Sequence, residues 1–147
     1  MKKDSRLSSV LHALLHMAEQ NKPVTSDILA MCMKTNPVVV RRTMGLLRNA
    51  GLVTSERGHA GGWRITADLN KITLFDLYEA LGEPTVFAIG NRHESPDCLV
   101  EQAVNSALDG AFVEAEALLI ERFKTVTLAS LAADFAQRHA EYRQQKD

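Results

Sequence analysis

The stretch from Thr35 to Thr66, TNPVVVRRTMGLLRNAGLVTSERGHAGGWRIT, restricts the folds open to this chain more than any other. Asn36 offers a side-chain oxygen to the free N–H groups that open a helix, and Pro37 suits the first turn, where a missing N–H costs little. Gly51 marks the stop. Projected at about 100° per residue, Val39, Val40, Thr43, Met44, Leu47 and Ala50 share one side. Val38, Arg41, Arg42, Gly45, Arg48 and Asn49 face the other way. An apolar back and an arginine front suit a helix lying in a DNA major groove, because a guanidinium can pair with both acceptors of a guanine edge or clamp a phosphate. Taken alone, the same pattern equally fits a solvated surface helix.

The flanking segments give this helix a context. Leu52 to Arg57 and Trp63 to Thr66 are short strand candidates, joined by Gly58-His59-Ala60-Gly61-Gly62, whose glycines allow positive φ. The result is a hairpin wing from which Arg57, His59 and Arg64 can reach backbone phosphates or a minor groove. GHAGG lacks both nucleotide-loop spacings and opens no helix, so nucleotide binding is set aside. Trp63 reads as the hairpin's core anchor.

Upstream, Leu7, Val10, Leu11, Leu14, Leu15 and Ala18 recur at helical spacing within Ser5 to Gln20, and Asn21-Lys22-Pro23 ends that helix. Thr25 or Ser26 caps a short helix, Asp27 to Met33, whose Ile28, Leu29, Met31 and Cys32 include its inward residues. Two helices joined by a short turn, the second with exposed arginines, have the form of a helix-turn-helix. His12 and His16 lie one turn apart and could hold a metal with a third ligand. With no HExxH pattern around them, no metal site is expected.

The net charge of −1 conceals a division. Residues 1–72 carry eleven Lys/Arg against five Asp/Glu, and residues 73–147 carry six against thirteen. A basic front and an acidic back fit a nucleic-acid module joined to a part that avoids nucleic acid. With 46% hydrophobic and 24% charged residues, the chain has a globular balance that excludes a disordered tail. Apolar runs fall short of a membrane span and no leader with a cleavage site is recognisable, so a cytoplasmic protein without membrane contact is expected. Cys32 and Cys98 form neither a CxxC pair nor a disulfide framework.

The second half is helical. Thr73 opens LFDLYEAL, which ends near Gly82 and Pro84, and residues 84–96 form the one long loop. From Asp97 to Lys124 runs a long apolar stripe: Val100, Val104, Ala107, Leu108, Ala111, Phe112, Ala115, Leu118, Leu119 and Phe123. One small domain would bury it poorly, so pairing with the same helix of a second chain is expected, with Ala107, Ala111 and Ala115 permitting close approach. An intramolecular pair with the segment Thr127 to Gln144 is the alternative, and both contacts can coexist.

In this order, and with Asn36 to Pro84 carrying the likeness, the sequence resembles the Rrf-two family of bacterial winged helix-turn-helix transcription regulators. The run from the Asn36 helix into the GHAGGW turn is the most specific part, and the resemblance extends over nearly the whole chain. It implies a mostly α fold with a small β-wing, divided into a DNA-binding domain (1–83) and a regulatory loop with a helical dimerisation region (84–147). It further implies a homodimer, acting as a repressor on double-stranded DNA carrying an inverted-repeat operator and answering to an effector the sequence does not name. Thr35, Asn36, Pro37, Val38, Arg41, Arg42 and Arg48 would face the groove, with Arg57, His59 and Arg64 on the wing. Cluster-binding members carry three cysteines near the loop and long helix. This chain has only Cys98 there, so no iron-sulfur cofactor is expected.

If Asp97 caps the long helix, Cys98 lies in its first turn, where free N–H groups favour a thiolate, and it becomes the candidate redox or electrophile sensor. A half-buried structural cysteine fits the position equally. Two other functions compete: a winged-helix protein-interaction module without DNA binding, and a small thiol enzyme. The arginines and intact wing oppose the first. The second lacks a base and its orienter, so an enzyme is not expected.

Overall fold

A computed structural model describes residues 3–147. Among them are six helices and one antiparallel hairpin: α1 (Arg6–Ala18), α2 (Ser26–Met33), α3 (Pro37–Asn49), β1 (Val53–Glu56), β2 (Gly62–Ile65), α4 (Leu74–Ala80), α5 (Leu99–Thr125) and α6 (Leu128–Lys146). The expected mostly α fold with a small wing is the one present. None of these helices is long and apolar enough to cross a membrane.

Four of the helices, α2, α3, α4 and α6, begin where short polar side chains capture free N–H groups. Thr25 Oγ1 accepts from the Ile28 N–H at 3.2 Å, and Asn36 Oδ1 accepts from the Val39 N–H at 3.0 Å. Each such cap stabilises its helix by about 1 kcal/mol. Thr73 and Asp76 form a reciprocal capping box at the start of α4. The turn between α2 and α3 has no glycine: Lys34 itself adopts the left-handed conformation, φ 54°, and the Thr35 N–H returns to the Ala30 carbonyl at 2.9 Å.

Burial follows the amphipathic faces. Val10, Ala13, Leu14 and Met17 of α1 meet Leu29 and Ala30 of α2 and Val40, Met44 and Leu47 of α3 in one core. Val53, Trp63, Ile72, Leu77 and Leu81 extend it, as does Leu128 at the head of α6. Ala50, projected onto the apolar side of α3, is exposed at the C-cap, where the helical projection stops applying.

Two backbone seams hold the outlying parts. Val24 and Trp63 exchange hydrogen bonds at 2.9 and 2.7 Å, fastening the hairpin to the segment before α2. The segment before α4 is likewise fastened to the α5–α6 junction. There the Leu74 N–H donates to the Val126 carbonyl at 3.0 Å and the Leu128 N–H to the Ile72 carbonyl at 2.9 Å.

The 27-residue α5 has no buried residue. Its start differs from the expectation: Cys98, not Asp97, occupies the N-cap position, and no side chain caps the end. The preceding loop lies along α5 instead of standing free. Phe87 stacks on Phe112 with ring centroids 5.4 Å apart, Asn91 donates to Asp109 at 2.8 Å, and Asn105 donates to the His93 carbonyl at 2.7 Å. Gln102 reaches the Pro96 carbonyl and Arg92 pairs with Glu101.

Candidate nucleic-acid interface

The face of α3 turned away from the core presents Val38, Arg41, Arg42, Arg48 and Asn49 to solvent. Val38 is 57% exposed although it is a β-branched apolar residue, an arrangement that core packing does not require. Thr35 and Pro37 are half-buried beside the exposed Asn36, whose side chain is committed to the cap. Arg41 and Arg42 are exposed and enter no ion pair among the described residues. Their guanidinium groups remain available for an external acceptor.

Arg48 is placed differently. Its guanidinium lies over the Trp63 ring, 5.6 Å from the centroid, and donates to Ser55 Oγ at 3.3 Å. It therefore braces the C-terminal part of α3 against the hairpin, a contact worth about 0.5–1 kcal/mol at an exposed site. Trp63 in turn donates from its indole N–H to Ser26 Oγ at 3.0 Å, so one side chain ties the wing to both helices of the helix-turn-helix. Ser26 was legible only as a candidate cap, a role Thr25 takes, and Ser55 not at all, because the partner of each here lies distant along the chain.

On the wing, the register pairs Val53 with Ile65, Thr54 with Arg64, Ser55 with Trp63 and Glu56 with Gly62. Arg64 is held by Glu56 at 3.2 Å across the hairpin. Both side chains are about half exposed, and an ion pair of this kind contributes little to stability and exchanges readily for a phosphate. Arg57 and His59 stand exposed at the tip. A Cβ on Gly61 would run into the Glu56 carbonyl, and one on Gly62, at φ +149°, would come within 2.5 Å of the Val24 carbonyl oxygen. These two glycines let the returning strand pass close to both neighbours.

Between α3 and the wing lies a cleft of about 320 Å³, with Arg41 and Arg48 on one wall and Ser55 and Glu56 on the other. It is too polar and open to enclose a small apolar ligand, and it lies on the same side as the free arginines. No reacting constellation accompanies it.

The helix pair, the arginine-bearing second helix and the hairpin braced against it define a winged helix-turn-helix transcription regulator. The chain belongs to the Rrf2 family, described as iron-dependent transcriptional regulators, which it matches over residues 4–134. YwnA of Bacillus subtilis, named as a candidate HTH-type transcriptional regulator, is 32% identical over 109 residues, covering 74% of this chain and 80% of YwnA. A candidate transcriptional regulator from Lactobacillus plantarum superposes with a TM-score of 0.75 at 23% identity, over 97% of this chain and 99% of that one. CymR, the global cysteine regulator of B. subtilis, does so with a TM-score of 0.65 at 22% identity, over 90% and 97%. These last two likenesses concern the fold. The family and its relatives are regulators and not enzymes.

Proposed function

We propose that this regulator reads an inverted-repeat operator as a homodimer and represses transcription there. The exposed, unpaired Arg41 and Arg42 beside Val38 on the capped start of α3 carry the reading. Arginine supplies bidentate donors for guanine and valine an apolar contact for a thymine methyl. Arg57, His59 and, after release from Glu56, Arg64 hold the phosphate backbone, whereas Arg48 acts mainly by positioning the wing. The dimer is supported by the outer face of α5, where Val100 and Leu118 are 71% and 76% exposed and Val104, Ala107, Ala111 and Ala115 lie between them. Leu108 is half-buried on the side facing its own chain and contributes less.

The family description speaks of iron dependence, but an iron-sulfur cluster does not suit this donor set. Such clusters draw chiefly on several thiolates. Cys98 is exposed at the start of α5, Cys32 is half-buried on α2, and no three His, Cys, Asp or Glu side chains converge among the described residues. The effector proposed instead is chemical modification of Cys98. A peroxide oxidises its thiolate to sulfenate and is itself reduced to hydroxide or water. Added bulk and charge there act where the loop meets α5.

Selection of bound fragments from random DNA, followed by anisotropy on the selected operator at two salt concentrations, tests the proposal. Salt-sensitive binding to a palindromic site is expected, with Arg41→Ala losing about 1–3 kcal/mol of discrimination against scrambled DNA. Absence of salt-sensitive binding would instead identify a protein-interaction module. Peroxide should weaken operator binding by the unmodified protein and not by Cys98→Ser; an equal response in both excludes Cys98 as the sensor.

A further inference from the structure

His12 and His16 project from the exposed side of α1, away from the face that carries Val10, Ala13, Leu14 and Met17 into the core. Their Nε2 atoms approach to 3.0 Å, with ring centroids 4.8 Å apart and planes inclined by 33°. The spacing in sequence permits many rotamer pairs. The structure adds the selection of one in which the two Nε2 atoms meet.

Such a meeting has two chemical explanations: an N–H···N hydrogen bond between unlike tautomers, or two neutral imidazoles set to share a cation. Imidazole nitrogens about 2.0–2.1 Å from one ion stand about 2.9 Å apart at a right angle and about 3.4 Å apart at the tetrahedral angle. The observed separation falls at the right-angle end. This is the relation of neighbouring ligands in tetragonal or octahedral coordination, the geometry of nickel and copper more than of zinc.

The surroundings suit a cation. His12, Leu15, His16 and Glu19 of the α1 end and Phe135 of α6 line a cleft of about 150 Å³. Glu19 brings a negative charge to its rim, and Phe135, stacked on His139 with ring centroids 5.8 Å apart, forms the far wall. That volume accommodates an ion together with several waters. No third protein ligand converges on the pair among the described residues, so water completes the coordination.

The geometry points to a bis-histidine site for a divalent ion of the nickel–copper type, formed by His12 and His16 on the outer face of α1. It is independent of the DNA-binding reading and of both cysteines. An ion bridging side chains one turn apart also favours the helical state of α1, because the bridge forms only when that turn is wound.

Equilibrium dialysis of the untagged full chain against NiCl2 tests the site, nickel being chosen because it does not oxidise thiols. One Ni2+ per chain is expected. His12→Gln and His16→Gln should each lose at least about tenfold in affinity, since even a group that only orients a metal ligand is worth that much. Both side chains are exposed, so these variants should keep the circular dichroism of the parent. Cys98→Ser should bind as the parent does. Amide exchange along α1 should slow on nickel addition in the parent and not in either histidine variant. No stoichiometric binding would mean a hydrogen-bonded pair only. Binding retained in the histidine variants, or lost in Cys98→Ser, would place the ion elsewhere; each of these results overturns the proposal.

Discussion

At the scale of single residues, Trp63 carries the most. It is 6% exposed, lies under the Arg48 guanidinium, donates to Ser26 and shares its backbone bonds with Val24. Trp63→Ala should destabilise the fold by about 3–5 kcal/mol in urea unfolding, and Ser26→Ala by about 1 kcal/mol. Gly62→Ala should cost about 1–3 kcal/mol through its positive φ, with the Val24 carbonyl as a further obstacle. A wild-type midpoint for Gly62→Ala would show that the strand can move aside. Trp63 was legible as an anchor because a lone indole in a short hairpin has few other uses. Ser26, 37 residues away, was not, because hydrogen-bond partners across a fold leave no local pattern.

At the scale of elements, the best-signalled helix was α3, where cap, proline, apolar period and terminal glycine agree. Its boundaries fell within a residue of those expected. The α2–α3 turn was harder to place, since Lys34 takes a left-handed conformation that sequence rules assign to glycine or asparagine. The loop before α5 was legible as a loop but not as a segment lying along that helix. Stacking of Phe87 on Phe112 depends on the path of the chain and not on periodicity. Where α4 meets α5, Tyr78 packs edge to face on Phe123 with centroids 5.9 Å apart. Burial first, and the charges of Glu116 and Glu83 next, hold the Tyr78 phenol above its ordinary ionisation range. Because the folded state resists ionisation, its contribution is fully present below about pH 10, the ordinary tyrosine value, and is lost as pH rises through the higher folded value. Tyr78→Phe should therefore flatten the alkaline fall of the unfolding free energy, measured by urea titrations from pH 9 upward. An unchanged alkaline slope would exclude Tyr78 as its source.

At the scale of the whole molecule, the division of charge matches the division of labour proposed for the two halves. The basic part holds the helix-turn-helix and wing, and the acidic part holds α5 and α6. Leu118→Glu places a carboxylate on an exposed apolar face, so the chain itself should fold normally while a dimer through α5 should not form. Sedimentation should show the mass fall to that of one chain, and operator affinity should fall by about 10²–10⁴ as the two reading heads lose their linkage. Unchanged mass would move the dimer contact off this face. The stripe was visible as helical periodicity, whereas the separation of its outer residues from inward Leu108 and Phe112 required the actual packing.

The seam joining Ile72 and Leu74 to Val126 and Leu128 grips only one end of α5. The helix runs 27 residues from there, about 40 Å, to its other end at Cys98. A rigid α5 pivoting at that seam, with the loop of residues 84–97 carried along it, would act as a lever whose fulcrum lies beside the segment that leaves the wing. A rotation of about 5° at the fulcrum sweeps the Cys98 end through about 3.5 Å over that length. The same ratio would run in reverse, so a displacement of a few ångströms at the far end would reach the wing as a turn of only a few degrees.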